Sequence, residues 1–253
     1  MEVFVAMPSS WTPYPEAIFN IIYQDCREYV DIIFDMNSIT LRQPIQIARN
    51  ELLRRFIEDT NADYIWFCDD DNPPSIDVLG KLLNSNKDIC SAIVPLRMWD
   101  NEWDLLNIFK YDEFWGREHY ETLEWIDQQV IEIANCWTWC VLMSREFVKH
   151  IMDAYKNPFA FEEWEYVITN DWKVKRYKCQ EYESNWRNTY KEDMDWWIRT
   201  VKIPLSEDVC FFEKAKESWY KIYADVSAEC YHFNGRPIKR RIKWHFIPKT
   251  IDA

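Results

Sequence analysis

ADYIWFCDDDNPP, residues 62–74, is the stretch that decides how this chain folds. Its first seven residues form a short apolar and aromatic run, the length of a buried strand rather than of a helix. The run stops abruptly at Asp69, Asp70 and Asp71, and Asn72 and the Pro73–Pro74 turn follow. Three adjacent carboxylates repel one another. Holding them together at neutral pH calls for a cation, or for solvent exposure on a loop. On an extended segment Asp69 and Asp71 point one way and Asp70 the other, so two carboxylates are offered to one ligand. Hard divalent ions such as Mg²⁺ or Mn²⁺ take oxygen ligands of this kind, usually one or two carboxylates plus substrate phosphates. A solvated acidic turn fits the same residues.

Working outward, Glu2–Met7 reads as a buried strand broken by Pro8, Ser9 and Ser10. Pro15–Gln24 has helical spacing, and Tyr29–Met36 is a second strand. Pro44–Thr60 is the clearest helix, with Ile45, Ala48, Leu52, Leu53 and Phe56 in one apolar stripe. Beyond the aspartates, Ser75 opens a helix to about Leu83, and Asp88–Leu96 is again a strand. Alternating strand and helix predicts a parallel sheet with helices on both faces. Ligands of such sheets bind at the carboxyl ends of the strands, where the acidic cluster falls.

The second half is less regular. Residues 98–125 read as a long polar and aromatic excursion, and Glu132–Met143 as a strand pair or one bent strand. Ser144 caps a helix to Tyr155. Pro158–Pro204 shows little period and reads as a functional loop or lid. Ser206 caps a helix through Ser218, Tyr220–Ala224 is a strand, and a loop reaches His232. The tail from Arg236 is basic.

The chain has 253 residues, 30 Lys plus Arg against 43 Asp plus Glu, and a net charge of −13. That balance argues against nonspecific nucleic-acid binding. No apolar run approaches the roughly 18 residues of a membrane span. No basic, signal-like segment precedes the first strand, so a cytoplasmic protein is expected, with reduced and mostly buried thiols at its eight cysteines. The basic tail offers a contact for the inner face of an anionic membrane or for an acidic partner, and a solvated tail is the simpler reading.

Three further groups carry potential chemistry. Glu207 and Asp208 open a helix, where acids complement the dipole; the same position also aims a carboxylate into a site to take a proton from a hydroxyl. His232, in CYHFNG, is either a structural or exposed histidine or a nitrogen ligand beside the acidic cluster. Arg49, in QIARN, is either a surface charge or a guanidinium that reaches phosphate or a carboxylate.

In this order the pieces resemble the family-2-like glycosyltransferases with the GT-A fold. The matching segments are VFVAMPSS, ARNELLRRFIEDTNADYIWFCDDDNPP, DICSAIVPLR, CWTWCVLMSREFV, PFAFE, SEDVCFFEKAKESWYKIYAD and His232, spanning residues 3–232. The resemblance implies a mixed, mainly parallel α/β sheet. Its Rossmann-like, nucleotide-sugar-binding half would be residues 1–100 and its acceptor-binding and catalytic half residues 101–235, with 236–253 as a basic tail. It implies metal-dependent transfer of a sugar from a UDP- or GDP-sugar to a glycan or other hydroxyl acceptor, inverting by direct in-line displacement; a retaining outcome would need a different arrangement and stays open. Asp69 and Asp70 would face the nucleotide sugar; Asp69, Asp71 and His232 would hold Mn²⁺ or Mg²⁺. Asp208 would be the catalytic base with Glu207 beside it. Pro8, Ser9 and Ser10 would lie under the nucleotide base, and Arg49 near the donor phosphates. The alternative is a GT-A protein that binds nucleotide sugars or glycans without turnover. A nucleotidyltransferase would carry a basic, Gly-rich loop early in the chain, and Pro8–Thr12 has no basic residue.

The chain has 3 glycines and 15 tryptophans, where an average chain of this length carries about 18 glycines. The family resembled has glycines at the positions of Trp137, Trp139 and Trp219, and a small residue at that of Trp11. Two readings stay open. In one, the source organism reads UGA as glycine and many of these tryptophans are glycine in the cell, Trp66 in the buried strand being genuine. In the other, the protein is truly Trp-rich and stacks indoles such as Trp196 and Trp197 on sugars.

Overall fold

Strand β1 (Glu2–Ser9) has both faces buried, which is why it reads as a continuous apolar run. Phe4 and Ala6 enter one core, while Val3, Val5 and Met7 enter another on the opposite face. The structure, a computed structural model, describes residues 1–9, 13–95, 106–110, 128–160 and 206–231 with their side chains. It describes 118–119, 162–168, 174–181, 192–195, 198–204, 232–233 and 237–238 as backbone strands.

After β1 come α1 (Pro15–Ile22), β2 (Asp31–Ile33), β3 (Ile39–Leu41), α2 (Ile45–Asp59), β4 (Tyr64–Cys68), α3 (Val78–Asn84) and β5 (Ile89–Ile93). The chain continues through β6 (Ile108–Lys110), β7 (Glu118–His119), β8 (Val130–Ile133), β9 (Asn135–Cys136), β10 (Cys140–Ser144) and α4 (Arg145–Ala154). Then follow β11 (Glu162–Ile168), β12 (Val174–Glu181), β13 (Glu192–Asp195), β14 (Ile198–Pro204), α5 (Glu207–Glu217), β15 (Ile222–Glu229), β16 (His232–Phe233) and β17 (Pro237–Ile238).

The central sheet has the order β2-β1-β4-β10-β5-β15-β8, with β3 also pairing β1. β1 runs parallel to β2, β3 and β4, and β5 parallel to β15. β10 lies between β4 and β5, antiparallel to both, and β8 is antiparallel to β15. The sheet is therefore mixed, and it draws strands from both halves of the chain. Helices α2, α4 and α5 cover one face through Leu52, Phe56, Phe147, Ile151, Phe211 and Phe212. Helices α1 and α3 cover the other through Ala17, Ile21, Val78, Leu79 and Leu82. Each large apolar side chain buried this way contributes roughly 1.5–3 kcal/mol.

Two local devices fix α2 and α4. Ser144 caps α4, its hydroxyl accepting the Phe147 N–H at 3.2 Å and donating to Asp88 at 2.7 Å. Helix α2 ends without glycine; instead the Arg145 guanidinium donates to the carbonyls of Phe56, Ile57, Thr60 and Ala62 at 2.9–3.1 Å. Phe56 and Ile57 belong to the last turn, whose carbonyls lack helical partners, Thr60 is the C-cap and Ala62 lies beyond it; Phe56 also accepts the Thr60 hydroxyl at 2.7 Å.

The expected lid is different. Strands within 158–204 form a separate antiparallel sheet of order β12-β11-β14-β13. The first strand is also longer than its sequence suggests. It runs through Pro8 and Ser9 because β4 pairs only with Val3–Ala6, so Pro8 has no ladder bond to lose on that side. Pro8 and Ser9 are thus strand residues rather than loop residues. Ser10, Trp11, Trp196, Trp197 and the tail beyond Ile238 lie outside the described residues. Every cysteine whose side chain is described is free and buried. No helix among the described residues is long and apolar enough to cross a membrane.

Candidate functional site

The carboxyl ends of β1 and β4 and the turn leading into β10 meet at one end of the central sheet. β4 delivers Asp69, whose N–H donates to the Trp139 carbonyl at 2.9 Å, and the Asn72 N–H closes a turn on the Asp69 carbonyl at 3.1 Å. The three aspartates then diverge. The Ser9 hydroxyl at the end of β1 donates to Asp70. The Asn72 side-chain amide donates to Asp71 at 2.8 Å. Asp69 turns toward α2.

There it meets Arg49. This residue sits on the buried stripe of α2 beside Ala48 and Leu52 and is 1% exposed. Its Nη2 donates to Asp69 at 3.2 Å, and its Nη1 donates to Glu207 at 2.7 Å and to Asp208. The Phe159 ring lies 5.8 Å from the guanidinium carbon, and that ring stacks on Phe211 of α5 at 4.1 Å. One cation therefore ties the end of β4 to the first turn of α5. Glu207 and Asp208 do occupy the positive end of a helix, as expected, and both are buried.

The Thr138 hydroxyl also donates to Asp208. It and Arg49 bond the same oxygen, Oδ1; Oδ2 accepts no hydrogen bond among the described residues. Thr138 had no signal in the sequence, being a lone threonine between Trp137 and Trp139. Those two rings lie 4.6 Å apart, and Trp137 also meets Phe109 edge-on.

The electrostatics follow from burial and crowding. Burial and the adjacent Asp208 push the Glu207 carboxyl up to about 7, with Arg49 pulling the other way. Burial raises Asp69 well above the carboxylate range; Asp71, Asp208 and Asp70 add to this and Arg49 opposes it. Asp70 is raised by burial, and its bond from Ser9 works against the rise. Arg49 is held more firmly protonated than usual, because Asp208, Asp69 and Glu207 outweigh its burial.

His232 begins β16, and its side chain is outside the described residues. Its backbone neighbourhood is fixed, however. The Tyr231 N–H donates to the Pro73 carbonyl at 2.9 Å, and Ser75 donates to Glu229 at 3.1 Å. Residue 232 thus follows directly on a segment laced to the turn after the aspartates.

Among the described residues no group of three or more His, Cys, Asp or Glu side chains is arranged to hold a metal ion. What Asp69 and Asp71 offer is a pair of hard oxygen donors in a crowd of carboxylates with Arg49 as the counter-charge. The neighbouring Asn72 Oδ1 is buried with no partner among the described residues. A magnesium-like ion commonly takes one or two carboxylates and completes its shell with water and substrate phosphate; here Asp69 is directed to Arg49 and Asp71 to the Asn72 amide.

No protein-family profile and no curated protein matches the chain. Among solved structures it is similar to the crystal structure of A197 from STIV. The identity is 17%, the match covers 97% of this chain and 100% of that one, and the TM-score is 0.54. At that identity the likeness concerns the fold alone.

Proposed function

We propose that this protein is a glycosyltransferase with the GT-A fold, moving a sugar from a nucleoside-diphosphate donor to an acceptor hydroxyl with inversion. The observation that carries the reading is the Arg49 bridge, which gathers Asp69 with Glu207 and Asp208 at the carboxyl end of the sheet. In this reading Ser9 and Asp70 lie on the nucleotide side, and Asp69 and Asp71 hold a divalent cation, with His232 as a further ligand. That ion would supply neutralisation of the charge left on the diphosphate. Asp208 accepts the acceptor's proton on Oδ2, while Arg49 and Thr138 hold Oδ1 and fix the carboxylate's direction. The acceptor oxygen bonds to the anomeric carbon as the carbon–oxygen bond to diphosphate breaks, and the nucleoside diphosphate departs with that electron pair. Glu207, protonated in part near neutrality, spares the site one negative charge.

The test is turnover of UDP- and GDP-sugars, by hydrolysis or transfer to a panel of hydroxyl acceptors, with Mn²⁺ or Mg²⁺ and with chelator. Removal of a general base lowers turnover about 10²–10⁴-fold, so Asp208→Asn is expected to lose activity on that scale while still binding donor. Full activity in that variant, or activity indifferent to chelator, defeats the proposal. Donor binding without turnover for any acceptor would favour a purely binding role.

A further inference from the structure

Tryptophan 219 stands in a backbone conformation made for glycine. Helix α5 ends at its C-cap Ser218, and two reverse bonds close it: Trp219 N–H to the Lys216 carbonyl at 2.9 Å, and Tyr220 N–H to the Ala215 carbonyl at 3.0 Å. This pair of bonds is the Schellman ending, whose left-handed position is usually filled by glycine. Trp219 fills it here with φ 67°. Among the described non-glycine residues only Arg42 and Asn86 share a positive φ, and asparagine tolerates it through its short polar side chain. A side chain this large earns a strained backbone only if its ring packs somewhere. The Trp219 ring does not, since the residue is 94% exposed.

Trp66 shows what a tryptophan selected for its ring looks like. It lies in the middle of β4, is fully buried, and donates its indole N–H to the Cys140 sulfur at 3.3 Å. The contrast joins the composition, with 15 tryptophans beside 3 glycines. UGA is a codon that some genetic codes read as tryptophan and others as glycine.

We infer that UGA is read as glycine in the organism that makes this protein, and that residue 219 of the native chain is glycine. Trp137 and Trp139 carry no such signature: their rings pack on one another, on Phe109 and on the core, and neither has a positive φ.

Protein purified from its native source and digested gives a peptide across residue 219, whose mass distinguishes glycine from tryptophan. Glycine at 219 is expected, and tryptophan there overturns the inference. In the chain as written, W219G is expected to raise the melting temperature by about 2–4 °C by relieving the left-handed strain. W66G is expected to lower it sharply. A W219G melting temperature unchanged or lower overturns the conformational argument. Neither readout uses turnover, so failure of the glycosyltransferase reading leaves the inference at 219 standing.

Discussion

Arg49 on α2 and Glu207 at the start of α5 form a 2.7 Å ion pair across 158 residues of chain. The guanidinium is almost wholly out of water, and Asp208 and Asp69 share it. A buried charge cluster of this kind is costly to break, because each partner left behind is a desolvated charge.

Arg49→Met is therefore expected to destabilise the fold by about 3–5 kcal/mol. Adding Asp208→Asn to Arg49→Met should recover part of that loss by removing one stranded carboxylate. Urea unfolding of the two single variants and the double variant measures the coupling. Strictly additive losses would mean that the guanidinium and Asp208 do not depend on one another.

Glu207 gives a pH signature. Its proton is held to about 7 in the folded chain, against 4.5 for the free side chain. The folded state binds this proton more tightly than the unfolded state does. The stabilisation is thus complete below the unfolded value and is lost as pH rises through the folded one. The melting temperature should fall between about pH 5 and about pH 8, and Glu207→Gln should flatten that fall. An identical slope in the variant would assign the dependence to other groups.

Thr138 tests positioning apart from chemistry. Thr138→Val keeps the shape and removes the hydroxyl that bonds Asp208. Asp208 Oδ1 then keeps only the Arg49 bond. On the proposed function, kcat should fall in Thr138→Val with the donor KM little changed, and should recover in Thr138→Ser. An unchanged kcat in Thr138→Val would leave the threonine no positioning role.

Arg145→Ala should cost about 3 kcal/mol, since the guanidinium serves four carbonyls between Phe56 and Ala62. Thermal unfolding checks this. Because those carbonyls lead into β4, the proposed function adds that the loss should weaken donor binding at Asp69.

The sequence made some of this plain and hid the rest for physical reasons. The stripe of α2 and the apolar run before Asp69 were legible because period and punctuation survive in one dimension. The direction of β10 was not, because a strand buried on both faces is apolar whether it runs parallel or antiparallel. The strands of 162–204 were hidden by mixed Glu, Lys, Trp and Tyr, which keep no clean alternation. Arg49 was recognisable as a candidate, but a lone arginine on an amphipathic helix does not show that its partners lie 158 and 159 residues away. Thr138 and Arg145 act through contacts that only the folded chain creates.

The place of β10 has a consequence for synthesis. β4 and β5 are separated in the sheet by a strand that ends at Ser144, so neither can finish pairing until that residue has left the ribosome. Until then the nascent chain presents one open edge on β4 and two on β5, whose far side waits for β15; such apolar edges recruit other strands. A cut at residue 100 would leave those edges open permanently. The N-terminal part thus depends on the later part for solubility as well as for Asp208, and exchanging it between proteins as an independent module would fail.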